Sequence, residues 1–230
     1  CRLIDRPLRP LFPEGYFNEV QILSYVYSYD SDNPTEALAI CAASAALLIS
    51  DIPFYKPAGA VRVGMIDGEF IINPTLEQQE SSVLDLLLAG TKDAILMIEG
   101  YCDFLTEEQV IEAIEEGHTA IKEICQNLQD WANLVGKEKA KPALNLPTEA
   151  LLTDIHSMIE KRLIEAYEIA DKMQREALQS ELEREVYAKH LPEEGEREFN
   201  TVQVRLALKK VSAKILRTKM LKEKKRVDFR

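Results

Sequence analysis

Residues 18–29 read Asn-Glu-Val-Gln-Ile-Leu-Ser-Tyr-Val-Tyr-Ser-Tyr, a stretch rich in Val, Ile and Tyr that predicts a strand. The turn at 30–34 doubles as a helix start, with Asn33 as N-cap, Pro34 at the first helical position and Glu36 in the first turn. Residues 35–49 predict a helix apolar enough to be buried on most sides. Its run of small residues, Ala42 to Ala46, lets it lie close against a sheet. Strands at 60–66 and 69–72 flank Asp67-Gly68, a strong two-residue hairpin signal. A second hairpin joins 83–89 to 94–99 through a turn at 90–93. Thr106 and Gln109 have capping-box spacing and open a helix that runs to about Leu134 and stops at Gly136.

Beyond a Lys- and Pro-containing stretch the strand pattern ceases. Residues 148–172, 173–190 and 200–225 predict three helices, with a break at 192–195. In the last, Val204, Leu208, Val211 and Ile215 form one apolar stripe. The expected fold class is therefore α+β over 1–136, a linker at 137–146 and an all-helical domain at 147–226.

Charge divides the chain in the same place. Residues 1–136 hold seven basic side chains against 22 acidic ones, a net charge of -15; residues 137–230 hold 21 against 17, a net of +4. The overall charge of -11 argues against a protein coated in nucleic acid, while leaving room for a local RNA site. No apolar run is long enough for a membrane span. The four cysteines, Cys1, Cys41, Cys102 and Cys125, form no CxxC pair and read as inert thiols in a reducing cytoplasm. The chain opens Cys-Arg-Leu-Ile-Asp without an initiator Met, and reads as part of something longer.

Three of the seven basic residues of 1–136, Arg2, Arg6 and Arg9, fall within eight positions, stiffened by Pro7 and Pro10. Guanidinium forks match phosphate oxygens, so these are candidate RNA or anion contacts; the bland alternative is a charged surface turn paired with carboxylates. Asp85 lies in an apolar strand and needs a partner. With Asp93 and Glu99 it is a weak candidate for holding Mg²⁺. Ten Lys or Arg lie between Arg205 and Arg226 with one acid, Glu223; this is a solvated helix face or a phosphate contact, without interleaved aromatics for base stacking. His118, His156 and His190 are isolated and read as structural.

The segments RLIDRPLRPLFPEGYFNEVQI at 2–22, AASAALLISDIPF at 42–54, AVRVGMIDGEFIINPT at 60–75 and LDLLLAGTKDAILMIEG at 84–100 resemble the bacterial polynucleotide phosphorylase family, as do Gly117-His118 and the closing RVDFR at 226–230. The resemblance implies the later part of a first RNase PH-like domain (ribosomal S5 domain 2-like) lacking its opening strands. An all-helical domain follows, and residues 227–230 begin a second RNase PH-like domain. Phe229 stands where the family usually has Gly. The family degrades mRNA from the 3′ end with phosphate, as a cytoplasmic, Mg²⁺-dependent homotrimer that binds single-stranded RNA and joins RNA-degradation complexes.

The family's catalytic copy has two aspartates and a lysine just ahead of an Ala-Gly-Thr turn. By the same resemblance this chain, ending in Ala89-Gly90-Thr91, keeps Asp85 but has Gln79 and Leu87 in the other two places. Glu36 stands where a phosphate-binding serine run would precede the helix. The resemblance thus implies no catalytic residues and no cofactor here, with Arg2, Arg6 and Arg9 retained for RNA. The alternative is a scaffold whose arginines serve trimer or domain contacts.

Overall fold

The computed structural model describes residues 1–192 and 197–227. The chain divides into two units, Cys1–Ala143 and Leu144–Arg230. The expected break at 192–195 falls partly, and Phe229 wholly, outside the described residues.

In the first unit, α1 (Arg2–Leu8) and a 3-10 turn (Arg9–Leu11) are followed by α2 (Glu36–Ile49), β1 (Gly59–Ile66), β2 (Glu69–Ile72), α3 (Leu76–Ser81), β3 (Leu84–Gly90), β4 (Ile95–Cys102) and α4 (Glu107–Val135). The strands form one antiparallel sheet in the order β2-β1-β3-β4. Asp67 and Gly68 both take positive φ, 52° and 86°, as a primed hairpin turn requires. Period-two alternation splits the sheet's side chains between two cores. Val61, Val63, Met65, Leu84, Leu86 and Leu88 pack with Ala113, Ile121 and Cys125 of α4. Ala60, Leu87, Ala89 and Met97 face the other way, with Ile40 of α2 and Leu3 and Ile4 of α1.

Several expectations are corrected. Residues 19–30 form neither helix nor strand and pair with no sheet strand; a run of β-formers becomes a strand only where a neighbour accepts its hydrogen bonds. Tyr27 there is 94% exposed. The arginine segment is a short helix rather than a turn, with Pro7 and Leu8 buried. Helix α2 starts at Glu36, with Thr35 at its N-cap, because the Asn33 amide donates instead to Asp30 Oδ2 at 2.7 Å. The same helix leaves Leu38, Ala42 and Ala46 exposed, so its burial is one-sided. Helix α3, headed by a Thr75–Gln78 capping box, adds an element that the hydrophobic pattern does not predict.

Helix α4 approaches the sheet closely at Gly117, where an added Cβ would lie 2.8 Å from Val63 Cγ2 and also meet Leu88. Its neighbour His118 bonds through Nε2 to the Thr91 carbonyl at 3.0 Å, a structural role, as its isolation predicts. Beyond α4 the backbone turns back: Lys137 N–H donates to Ile49 O, and Lys139 Nζ donates to the carbonyls of Leu47, Leu48 and Ser50 at 2.7–2.9 Å. One ammonium therefore satisfies orphan carbonyls at the C-terminal end of α2. Desolvation lowers the Lys139 pKa, against a smaller opposing effect of Asp51.

The second unit is a three-helix arrangement of α5 (Glu149–Ala166), α6 (Lys172–His190) and α7 (Thr201–Glu223). Thr148, Asp171 and Asn200 cap them by accepting N–H bonds. Leu151, Ile155, Ile159 and Leu163 recur every four residues and meet Leu182, Val186, Val204, Val211 and Ile215. Asp154 joins α5 to α6, accepting from Lys189 Nζ at 2.6 and 2.8 Å with His190 at 3.0 Å.

Both the close approach at Gly117 and the Asp154 bridge can be tested. Gly117→Ala gains about 1 kcal/mol of helix propensity, but the overpacking at Val63 and Leu88 costs about 1–3 kcal/mol. Chemical denaturation should find the variant no more stable than the wild type. The Asp154 carboxyl is held below its ordinary value, foremost by the Lys189 hydrogen bond. Such a depressed group stabilises the fold above its unfolded pKa of about 4 and loses that contribution as pH falls through the folded value. Its side chain is 39% exposed, so Asp154→Asn should cost about 0.5–1 kcal/mol near neutral pH. Amide exchange in α5 and α6 should show that difference vanish in strong acid.

Candidate functional site

The face of the sheet that meets α1 and α2 carries the unit's charged cluster. In the β1–β3 register, Arg62 lies opposite Leu87 and Gly64 opposite Asp85. The two lone charges of otherwise apolar strands are therefore diagonal neighbours on one face. Arg62 Nη1 donates to Asp85 Oδ1 at 2.6 Å and to Oδ2 at 2.9 Å. Its Nη2 lies 3.6 Å from Oε2 of Glu36, the first residue of α2. The Arg62 side chain is 15% exposed and that of Asp85 26%. Arg62 Nε and Glu36 Oε2 have no hydrogen-bond partner among the described residues. One guanidinium is thus held between two carboxylates, leaving the cluster a formal charge of -1.

Asp85 has the partner its setting demands, and the sequence pattern did not identify it. The signal was a single Arg inside the apolar strand Ala60-Val61-Arg62-Val63. Two unpaired opposite charges on neighbouring apolar strands are each other's natural partners. Leu87, beside the cluster, is buried against Ile40, Ala60 and Met97 and brings no charge. Gln79 turns its amide to the Pro74 carbonyl at 3.0 Å.

The weak metal candidate is not supported. Both Asp85 oxygens are occupied by Arg62, Asp93 pairs with Lys56 at 3.7 Å and Glu99 pairs with Arg6 at 3.1 Å. Among the described residues no three His, Cys, Asp or Glu side chains group as cation ligands. A guanidinium already balances the charge that a divalent cation would need, so these residues do not fit Mg²⁺.

The arginine segment lies near this face. Helical spacing of four and three sets Arg2, Arg6 and Arg9 along one side of α1 and its 3-10 extension. Arg9 bonds Asp5 through Nε and Nη2, at 3.1 and 2.6 Å, and Arg6 reaches Glu99 on β4. Arg2 has no ion pair among the described residues. Both pairs are more than half exposed, the class worth about 0–1 kcal/mol. Arg9 also lines a groove of about 470 Å³ with Phe12, Tyr16 and Val20.

Burial puts two of the thiols out of reach of chemistry near neutral pH. All four are free; burial pushes the Cys125 thiol up to about 11 and raises that of Cys41, so neither is a nucleophile near neutral pH. No helix among the described residues is long and apolar enough to cross a membrane.

Residues 1–53 match the 3' exoribonuclease family, domain 1, and residues 56–120 match its domain 2. Residues 150–230 match the polyribonucleotide nucleotidyltransferase RNA binding domain. The chain is 52% identical over 229 residues to a polyribonucleotide nucleotidyltransferase of Protochlamydia amoebophila (strain UWE25), covering 100% of this chain and 33% of that protein. It is 46% identical over 230 residues to that of Chlamydia pneumoniae, with the same two coverages. It is 47% identical over 186 residues to a probable chloroplastic polyribonucleotide nucleotidyltransferase 1 of Oryza sativa subsp. japonica, covering 81% of this chain and 21% of that one. The crystal structure of rice (Oryza sativa) Rrp46 has a TM-score of 0.40 and 23% identity, covering 44% of this chain and 49% of that one, a likeness too slight to bear on function. The chain spans about a third of the length of the bacterial relatives it matches along its whole extent. Two exoribonuclease-family domains and then the helical domain, in that order and at this identity, make it a member of the polyribonucleotide nucleotidyltransferase family.

Proposed function

We propose that this chain is the non-catalytic, RNA-guiding part of a 3′-to-5′ phosphorolytic exoribonuclease of mRNA degradation. In the whole protein, an oxygen of inorganic phosphate attacks the 3′-terminal phosphodiester. The P–O bond to the preceding 3′-hydroxyl breaks, and a nucleoside diphosphate leaves. Such a protein works in the cytoplasm as a homotrimer, uses Mg²⁺ held outside this segment and associates with other RNA-degrading proteins.

The observation that carries the non-catalytic reading is the Glu36–Arg62–Asp85 cluster. Phosphoryl transfer needs cationic groups free to take up charge developing on phosphate. Here the nearest guanidinium is consumed by two carboxylates, and Leu87 supplies no cation. Glu36 at the start of α2 sets a negative charge where the helix dipole would otherwise favour an anion.

The guiding role rests on Arg2, Arg6 and Arg9. Their carboxylate pairs are exposed and weak, so RNA phosphates can compete for the forks with charge-assisted bonds. The Arg6–Glu99 and Arg9–Asp5 pairs also favour a second reading, a structural scaffold in which the arginines hold α1 in place.

Incubated with poly(A), phosphate and Mg²⁺, the 230-residue chain should release no ADP; release that is lost with Asp85→Asn would overturn the non-catalytic reading. Fluorescence anisotropy with labelled single-stranded RNA separates guide from scaffold. The double variant Arg6→Ala/Arg9→Ala should bind several-fold more weakly, with a salt-dependence slope smaller by about 1.4, the value for two lost single-strand phosphate contacts. Unchanged affinity and slope leave the scaffold. For the cluster itself, Arg62→Met should destabilise the chain by about 2–3 kcal/mol, because it strands two carboxylates. Adding Asp85→Leu should restore much of that loss in a denaturation double-mutant cycle.

A further inference from the structure

Helix α5 packs along both α6 and α7, whereas α6 and α7 meet over a shorter stretch and leave a groove between them. The groove encloses about 290 Å³. Its floor is apolar and aromatic, from Leu163, Leu182, Tyr167 and Tyr187. Its α7 rim carries Arg205, Lys209 and Ser212, spaced four and three apart along one stripe of the helix. The two cations are therefore one turn, or about 6 Å, from each other.

Neither is tied up in an ion pair. Arg162 is matched by Glu181 and Glu185, Lys189 by Asp154, and Lys219 by Glu168 and Glu223. Arg205 and Lys209 have no ion-pair partner among the described residues. One acid, Glu183, also lines the groove, one helical turn before Tyr187 on α6.

From this geometry we propose that the α6–α7 groove is a subsite for one nucleotide of single-stranded RNA. The base lies on the Tyr187 ring, and the flanking phosphates lie on Arg205 and Lys209. The sequence of α7 alone contains no aromatic side chain between its cations; the fold supplies one from α6. An apolar, aromatic floor edged by unpaired cations is the combination that stacks any base while tracking a backbone. A cavity of about 290 Å³ is at the small end of ligand pockets, sized for a nucleotide rather than for a protein helix. The inference rests on the reading that this chain binds RNA, and within the unit that matches an RNA binding domain it names the Tyr187, Arg205 and Lys209 groove as a subsite, separate from the Arg2, Arg6 and Arg9 segment.

The test uses the full chain and a labelled oligo(A) in an anisotropy titration over a range of salt. Arg205→Gln/Lys209→Gln should weaken binding about five- to tenfold and reduce the salt slope by about 1.4, as two lost phosphate contacts require. Tyr187→Leu should weaken binding at least fivefold with the slope unchanged, because stacking releases no counterions. Tyr187→Phe keeps the ring and should retain affinity, which separates stacking from a folding defect. Lys214→Gln/Arg217→Gln, on a separate exposed face of α7, should have the smaller effect. If wild-type chain binds RNA and the groove variants bind it equally well, the groove is overturned while the RNA-guiding reading stands. The groove is equally overturned if those variants change only the association of protein copies, as a protein-docking groove would. If the wild-type chain binds no RNA, both readings fall.

Discussion

A guanidinium held at 15% exposure against the apolar face of a sheet is the constraint on which the first unit turns. Desolvating that charge is expensive, and it is tolerable here because Asp85 accepts two bonds from one nitrogen and Glu36 lies alongside. The cluster joins two strands and the first turn of α2. It also pins the β1–β3 register. A slip of one residue would turn a charged side chain into the Val61, Val63 and Leu88 core under α4, where no opposite charge waits. Gly117 acts in the same sense from the other side, letting α4 close down on Val63 and Leu88.

The same constraint shapes the chemistry. A guanidinium whose charge two carboxylates already balance is not free for a substrate phosphate, and a carboxylate bonded through both oxygens to that guanidinium is not free for a metal. The first unit, acidic overall, therefore presents a closed electrostatic face at its sheet. Arg6 and Arg9 of the arginine segment are held only by exposed carboxylate pairs, and Arg205 and Lys209 of α7 have no ion-pair partner among the described residues.

Elements with local signals were legible in the sequence. The Asp67-Gly68 hairpin, the Thr106–Gln109 cap of α4 and the apolar stripe of α7 are each written within a few residues. The Thr75–Gln78 box that opens α3 has the same spacing as that of α4, but only six helical residues follow it, too few to show a period. The 19–30 segment failed for the opposite reason, since β-propensity cannot reveal whether a neighbouring strand exists. The site was half legible. The need of Asp85 for a partner followed from its apolar strand. That the partner is Arg62 depends on β1–β3 pairing across more than twenty residues, which no local pattern encodes. That Tyr187 and Arg205 line one groove is hidden likewise, because the groove joins two helices.

The central claim, that the Arg62 cluster closes this face to phosphate and metal, is tested most directly on the guanidinium itself. With ¹⁵N-arginine label, the Arg62 side-chain resonance can be followed while inorganic phosphate and then Mg²⁺ are added. A signal that neither addition shifts saturably is the predicted result; a saturable shift with either would contradict the account.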